Sequence, residues 1–169
     1  YITWNNLYEK VCKFSNYLKK LSLKKGDRVA AYVPNKIETI ISFLACAKNG
    51  IIWSSCSPDF GVQGVVDRFK QIEPKVLITC DYYFYNGKKI NILKKIPEIL
   101  KKIKSIKEVI VFPYGNKFDS KLNRRFKDFN LILKKSKVDN SFKKFPFNSF
   151  GIIAQPSLHP GIQKNFEKL

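Results

Sequence analysis

Apolar residues recur at helical spacing from the start of the chain. Leu7, Val11, Phe14, Leu18 and Leu21 share one face, and Lys10, Lys13 and Lys20 lie opposite. Thr3 stands where an N-cap hydroxyl is wanted, so the pattern predicts a helix from Thr3 to about Leu21. The turn Lys25-Gly26-Asp27 then feeds Arg28 to Val33, an apolar run of strand length closed by Pro34. Ile37, Ile40, Ile41 and Leu44 mark a second helix, ended at Asn49-Gly50, where glycine takes the left-handed cap. Ile51 to Ser54 is the second strand.

The rhythm repeats. Pro58-Asp59 opens a helix with Val62, Val65, Val66, Phe69 and Ile72 inward, Pro74 ends it, and Lys75 to Cys80 forms a third strand. After a turn at Asn86-Gly87, Asn91 to Ile103 has the pattern of a lysine-rich amphipathic helix, and Val109 to Pro113 that of a fourth strand. Strands separated by helices imply an α/β fold: a mostly parallel sheet with flanking helices. From Tyr114 the signal weakens, leaving one short strand at Asn130 to Leu133. After Lys143, Phe145-Pro146-Phe147-Asn148, Gln155-Pro156 and His159-Pro160-Gly161 follow no period, and no element is assigned there.

Composition narrows the class. A chain of 169 residues can build one cored domain but is small for an enzyme with three substrates, and it reads as part of something longer. No apolar run approaches the roughly 20 residues of a membrane helix, and no signal-peptide order is present, so a soluble cytoplasmic protein is expected. The cysteines, Cys12, Cys46, Cys56 and Cys80, form no CxxC pair and stand beside a single histidine, which excludes a structural zinc set and suggests reduced core thiols. The net charge of +19 and pI near 9.8 raise a polyanionic partner, but the lysines are spread along the polar faces of nearly every element. That distribution suits solvated surfaces, and phosphate-rich ligands would also welcome the field. No nucleic-acid motif accompanies it, so neither nucleic acid nor membrane is expected as a partner.

The chain has no GxxxxGK[ST], no GxGxxG after a strand and no GxSxG. Two loops nevertheless follow predicted strands at the end where open α/β sheets hold ligands. Trp53-Ser54-Ser55-Cys56-Ser57-Pro58-Asp59-Phe60-Gly61 is rich in hydroxyls and leads into a helix N-terminus, which fits either phosphate contact or simple capping by its serines and Asp59. Asp81-Tyr82-Tyr83-Phe84-Tyr85-Asn86-Gly87-Lys88-Lys89 offers aromatics beside two lysines, which fits either stacking on an adenine or an aromatic hairpin packed on the sheet. His159 has no partner nearby in sequence and no catalytic role is assigned to it.

These loops also carry a resemblance. Ile2-Thr3-Trp4 through Lys24-Lys25-Gly26-Asp27-Arg28-Val29-Ala30, then Tyr32-Val33-Pro34-Asn35, resembles the start of the adenylate-forming domain of acyl-CoA synthetases. Ile52 to Gly61, with Asp67-Arg68-Phe69 and Gln71-Ile72-Glu73-Pro74-Lys75-Val76-Leu77, is similar to the acetoacetate-activating branch rather than to its acetyl or propionyl relatives, and Tyr85-Asn86-Gly87-Lys88 continues the match. The resemblance covers Ile2 to Tyr114 well and extends loosely to Asn148. It implies part of the large N-terminal domain of adenylate-forming enzymes: a partial AMP-dependent synthetase/ligase domain over 1–148 and a divergent tail over 149–169.

The activity so implied is that of an acid–thiol ligase of lipid metabolism. Acetoacetate attacks ATP, with Mg²⁺ as counter-ion, to give an acyl-adenylate, and the thiol of coenzyme A then displaces AMP. By position, Ser54 and Ser55 would approach the nucleotide end of coenzyme A, and Tyr85 and Lys88 would stand where relatives place a basic pair; Tyr85 replaces a cation, so Lys88 alone keeps the charge. No residue here is assigned a catalytic or metal-ligating role. In the family, a segment like Pro146-Phe147-Asn148 leads to a Ser/Thr/Gly-rich phosphate loop ending in Pro-Lys, where this chain reads Ser149-Phe150-Gly151-Ile152-Ile153-Ala154-Gln155-Pro156. The 169 residues are therefore expected to be inactive by themselves, with a coenzyme A or nucleotide-binding fragment, or a basic nucleic-acid module, as the alternatives.

Overall fold

The computed structural model describes residues 1–114, 124–146, 149, 151 and 152. Thr3 caps the first helix, its hydroxyl accepting from the Asn6 amide at 3.3 Å, and α1 (Trp4–Lys20) buries Leu7, Val11, Phe14 and Leu18 as its spacing predicts. Next come β1 (Arg28–Tyr32), α2 (Ile37–Lys48) and β2 (Ile52–Cys56). Gly50, at φ +68°, makes the left-handed turn between α2 and β2. The chain continues through α3 (Val62–Ile72) and β3 (Val76–Cys80) to a hairpin of β4 (Tyr82–Tyr85) and β5 (Lys88–Asn91). A 3-10 turn at Leu93–Lys95 leads into α4 (Ile96–Lys102), followed by β6 (Glu108–Phe112), β7 (Phe126–Asp128) and α5 (Phe129–Lys135).

Five strands form one sheet in the order β2-β1-β3-β6-β7, every pair parallel, and the hairpin stands outside it as a two-stranded antiparallel unit. This is the α/β architecture that the alternation of strands and helices predicts. α1 packs on α2 and α5, and α3 packs on α4. Right-handed crossovers put these two groups on opposite faces of the sheet. All five residues of β3 are buried, as expected for a central strand covered on both sides. Phe14 meets Phe129 with ring centroids 4.9 Å apart, and Phe129 meets Phe112 at 6.2 Å, so one aromatic column ties α1 to α5 and β6. All four cysteines are free and buried.

Three sequence expectations are corrected. The third helix starts at Val62 rather than at Pro58-Asp59, because Ser57 to Phe60 closes a turn, with the Phe60 amide donating to the Ser57 carbonyl at 3.3 Å. The helix expected over Asn91 to Ile103 is split. Asn91 completes the hairpin, its side chain accepts from the Lys94 amide at 3.1 Å, and Pro97 sits in the first turn of α4, a position suited to its missing N–H. The strand expected at Asn130 to Leu133 is helical: Asp128 ends β7 and its carboxylate caps α5 through the Leu131 amide at 2.8 Å.

Two local devices complete the frame. Asp27, only 8% exposed, sits where the loop enters β1. Its carboxylate accepts from the Lys24 amide at 2.7 Å and from Lys75 Nζ, just before β3, at 2.8 Å. Burial pushes its acidity down, but the Lys75 and Lys24 hydrogen bonds outweigh this and hold the carboxyl below its ordinary pKa. After α5, residues 137–146 run as a strap across α1 and α2. Asn16 Nδ2 donates to the Lys137 carbonyl at 3.0 Å, Lys19 Nζ to Asp139 at 2.5 Å, and Lys48 lies 4.4 Å from the Phe142 ring. The Trp53 amide then donates to the Gly151 carbonyl at 2.9 Å, which puts Ile152 parallel to the outer edge of β2. No helix among the described residues is long and apolar enough to cross a membrane.

Candidate functional site

β1 passes to β2 on one side of the sheet, whereas β3 passes to β6 on the other, so strand order reverses between β1 and β3. Ligands of open α/β sheets bind beyond the C-terminal ends of the strands at such a reversal. Both loops singled out in the sequence leave the sheet at this end.

The loop after β2 is held from beneath by Tyr32, the last residue of β1. Its hydroxyl lies 2.9 Å from the Pro58 carbonyl and 2.6 Å from that of Phe60, and it accepts from Lys95 Nζ at 3.2 Å. A buried tyrosine needs such partners for its polar tip. Within the loop, Ser57 Oγ donates to Asp59 Oδ2 at 2.6 Å. Neither Ser57 nor Asp59 caps α3, whose N-cap is Gly61 without a side-chain bond, so the capping alternative for this loop is not the one the chain adopts.

The loop after β3 is the aromatic hairpin. Asn86 and Gly87 turn at φ +46° and +71°, the pair of left-handed residues that a type I′ turn requires. Tyr83 pairs with Ile90 and Tyr85 with Lys88 across the strands, and side chains alternate, so Tyr83, Tyr85, Lys88 and Ile90 share one face. Tyr83 is 6% exposed, and its hydroxyl donates to Asp59 Oδ1 at 2.7 Å, which joins the two loops. On the opposite face, Tyr82 and Phe84 pack with Tyr114, and Lys89 and Lys36 stand over the Tyr82 and Tyr114 rings at 3.8 and 3.9 Å.

The four residues expected to meet a ligand fall as follows. Ser55 is exposed and, with Ser57, lines a cleft of about 350 Å³ walled by Val33, Pro34, Asn35 and Thr39 at the ends of β1 and β2. Ser54 points to the other side of β2, is 1% exposed, and its hydroxyl has no hydrogen-bond partner among the described residues. Tyr85 and Lys88 are exposed on the hairpin face that also carries Tyr83. The fold thus brings the two loops together while dividing the serine pair. Of the residues that link the loops, Asp59 was read only as a possible helix cap and Tyr83 only as one of the loop aromatics, while Tyr32 and Lys95 were not singled out by sequence reasoning. The one available signal was a tyrosine inside an apolar strand, whose hydroxyl must find a partner.

The Ser57 hydroxyl, then that of Tyr83, holds the Asp59 carboxyl below its ordinary pKa, and the charge of Lys95 adds to this. Burial, reinforced by Asp59, pushes Tyr83 up to about 12. Burial also raises Cys56 and Cys80 to about 12, so neither thiol is an activated nucleophile at neutral pH. What the site offers is hydroxyls, exposed aromatic surface and, on the hairpin face with Tyr85, the cation of Lys88, a set suited to binding a phosphorylated planar ligand. No group of three or more His, Cys, Asp or Glu residues gathers as a metal site among the described residues. His159, Phe147, Asn148 and most of the divergent tail expected over 149–169 lie outside the described residues.

Comparison with known proteins gives this geometry a context. Residues 1–140 match the family described as AMP-binding enzyme. The chain is 44% identical over 113 residues to an acetoacetyl-CoA synthetase from Xenopus tropicalis and 46% identical over 114 residues to an acetoacetyl-coenzyme A synthetase from Rhizobium meliloti (strain 1021). These alignments cover 67% and 68% of this chain and 17% of each relative, so the chain spans a small part of the relatives it matches. In three dimensions it resembles acetoacetyl-CoA synthetase from Streptomyces lividans, with a TM-score of 0.81 and 31% identity, over 89% of this chain and 23% of that one. The parallel sheet with its flanking helices is that of the N-terminal domain of adenylate-forming enzymes, and the chain belongs to the AMP-binding enzyme family.

Proposed function

We propose that the chain provides the coenzyme A side of an acetoacetate–CoA ligase, an enzyme that activates acetoacetate with ATP through an acyl-adenylate and then forms the thioester. The observation that carries this reading is the convergence of two loops at the strand-order reversal, in a chain whose relatives at 44 and 46% identity are acetoacetyl-CoA synthetases. Ser55 and the Ser57 side of the cleft fit the hydroxyl and phosphate groups of coenzyme A. Tyr85 supplies ring surface and Lys88 the positive charge. Ser54, buried on the other face of β2, does not line this cleft, so Ser55 carries the serine contact alone. ATP and Mg²⁺ belong to the complete enzyme, where they supply the leaving group and its charge neutralisation.

The 169 residues contain no Ser/Thr/Gly-rich loop ending in Pro-Lys, and as a separate polypeptide they are proposed not to adenylate acetoacetate. Fixed phosphate contacts supply most of the rate in such transfers, so their loss removes the reaction rather than slowing it slightly. ATP–pyrophosphate exchange with acetoacetate should stay at background, and exchange above it would refute the claim. Calorimetry with millimolar coenzyme A should give heat that Lys88→Ala reduces several-fold; no heat from the unsubstituted chain would refute the binding site.

A further inference from the structure

We infer that Tyr83 and Asp59 are positioning residues: their hydrogen bond latches the hairpin to the loop after β2, so that Tyr85 and Lys88 face the same ligand as Ser55. The inference rests on the coenzyme A reading for the identity of that ligand, but the latch itself follows from geometry. A two-stranded hairpin outside any larger sheet is marginally stable on its own. Within β4 and β5, Tyr83 is the one buried residue; the rest are exposed or half-exposed. Its hydroxyl reaches Asp59 at 2.7 Å.

The other contacts of the hairpin act elsewhere. Asp81 fixes its base by accepting from the Tyr82 and Tyr114 amides at 2.7 and 2.8 Å, and the Tyr82–Phe84–Tyr114 rings brace its outer face. Neither holds the face that carries Tyr85 and Lys88. Asp59, by contrast, is a firm point, because Ser57 holds its second oxygen at 2.6 Å and Tyr32 holds the carbonyls of Pro58 and Phe60 on either side of it. Tyr85 lies two residues beyond Tyr83, about 7 Å along the strand, and Lys88 is its cross-strand partner. Fixing Tyr83 therefore fixes the aim of both.

The test uses the 169-residue chain with Tyr83→Phe, which keeps the ring and removes one oxygen, and with Asp59→Ala and Asp59→Asn. Amide exchange over residues 84–89 should quicken at least ~5-fold in Tyr83→Phe and Asp59→Ala, and should stay near the original rate in Asp59→Asn, whose amide oxygen still accepts. Unchanged exchange in Tyr83→Phe overturns the latch whatever coenzyme A does. A double-mutant cycle reads the aim: Lys88→Ala should weaken coenzyme A binding several-fold in the original chain and at least ~3-fold less in the Tyr83→Phe background. Equal losses in both backgrounds overturn the positioning role and leave the coenzyme A site standing. No loss from Lys88→Ala in the original chain overturns the site itself.

Discussion

Replacing Asp27 by Asn tests whether the corner that joins β1 and β3 is held by charge. The substitution keeps the shape of the side chain but removes the negative charge that Lys75 Nζ approaches at 2.8 Å and the Lys24 amide at 2.7 Å. A hydrogen bond to a charged group contributes about 1.5–3 kcal/mol. Lys75 is 37% exposed in its side chain, which screens its part of the interaction, so the expected loss is about 1–2 kcal/mol. For a chain of this length that corresponds to a fall in Tm of about 3–6 °C. The sign of the pH dependence follows from the depressed pKa of Asp27. Its stabilisation is fully present above the unfolded value, about 3.9, and is lost as pH falls through the lower folded value. Urea titrations between pH 7 and pH 3 should show a constant gap between the two proteins down to about pH 4, closing below it. A gap absent at pH 7, or one that persists undiminished at pH 3, would show that the carboxylate charge is not what holds the corner.

Two further substitutions probe other levels of the fold. Phe14→Ala removes the α1 end of the aromatic column formed with Phe129 and Phe112, at a fully buried position, and should cost about 3–4 kcal/mol, seen as a lower urea midpoint with an unchanged slope. Gly87→Ala forces a side chain into φ +71° where no atom lies within 4 Å of the added carbon, so the expected cost of about 1 kcal/mol is pure backbone strain. It should appear as faster amide exchange in the hairpin with little change in global midpoint.

The frame was largely legible because its elements carry strong local signals. α1 announces itself through Thr3 and the Leu7–Val11–Phe14–Leu18 spacing, and the turn into β2 through Gly50. The elements misread are those in which two signals overlap. Ile92, Ile96, Ile99 and Leu100 are all buried and spaced as on a helix, and that pattern hid the start at Ile96 and the hairpin before it. In the seven residues of α5, two buried positions, Phe129 and Ile132, are too few to tell a helical period from a strand. The candidate site was visible as two loops following strands, because topology places ligands there. The bonds joining those loops, Tyr83 to Asp59 and Tyr32 to the Pro58 and Phe60 carbonyls, link residues 24, 26 and 28 positions apart, and no local pattern encodes them.

The strap over α1 and α2 bears on how the chain reaches this structure. Two of its bonds, Asn16 to Lys137 and Lys19 to Ser141, join residues 121 and 122 positions apart, so closing them carries a large loop-entropy cost. Beyond the strap, the Gly151 carbonyl and Ile152 lie along the outer edge of β2, whose amides would otherwise be open to another chain. Lys19, Lys25 and Lys48 each set an ammonium on a strap residue, and these contacts offset part of that loop-entropy cost.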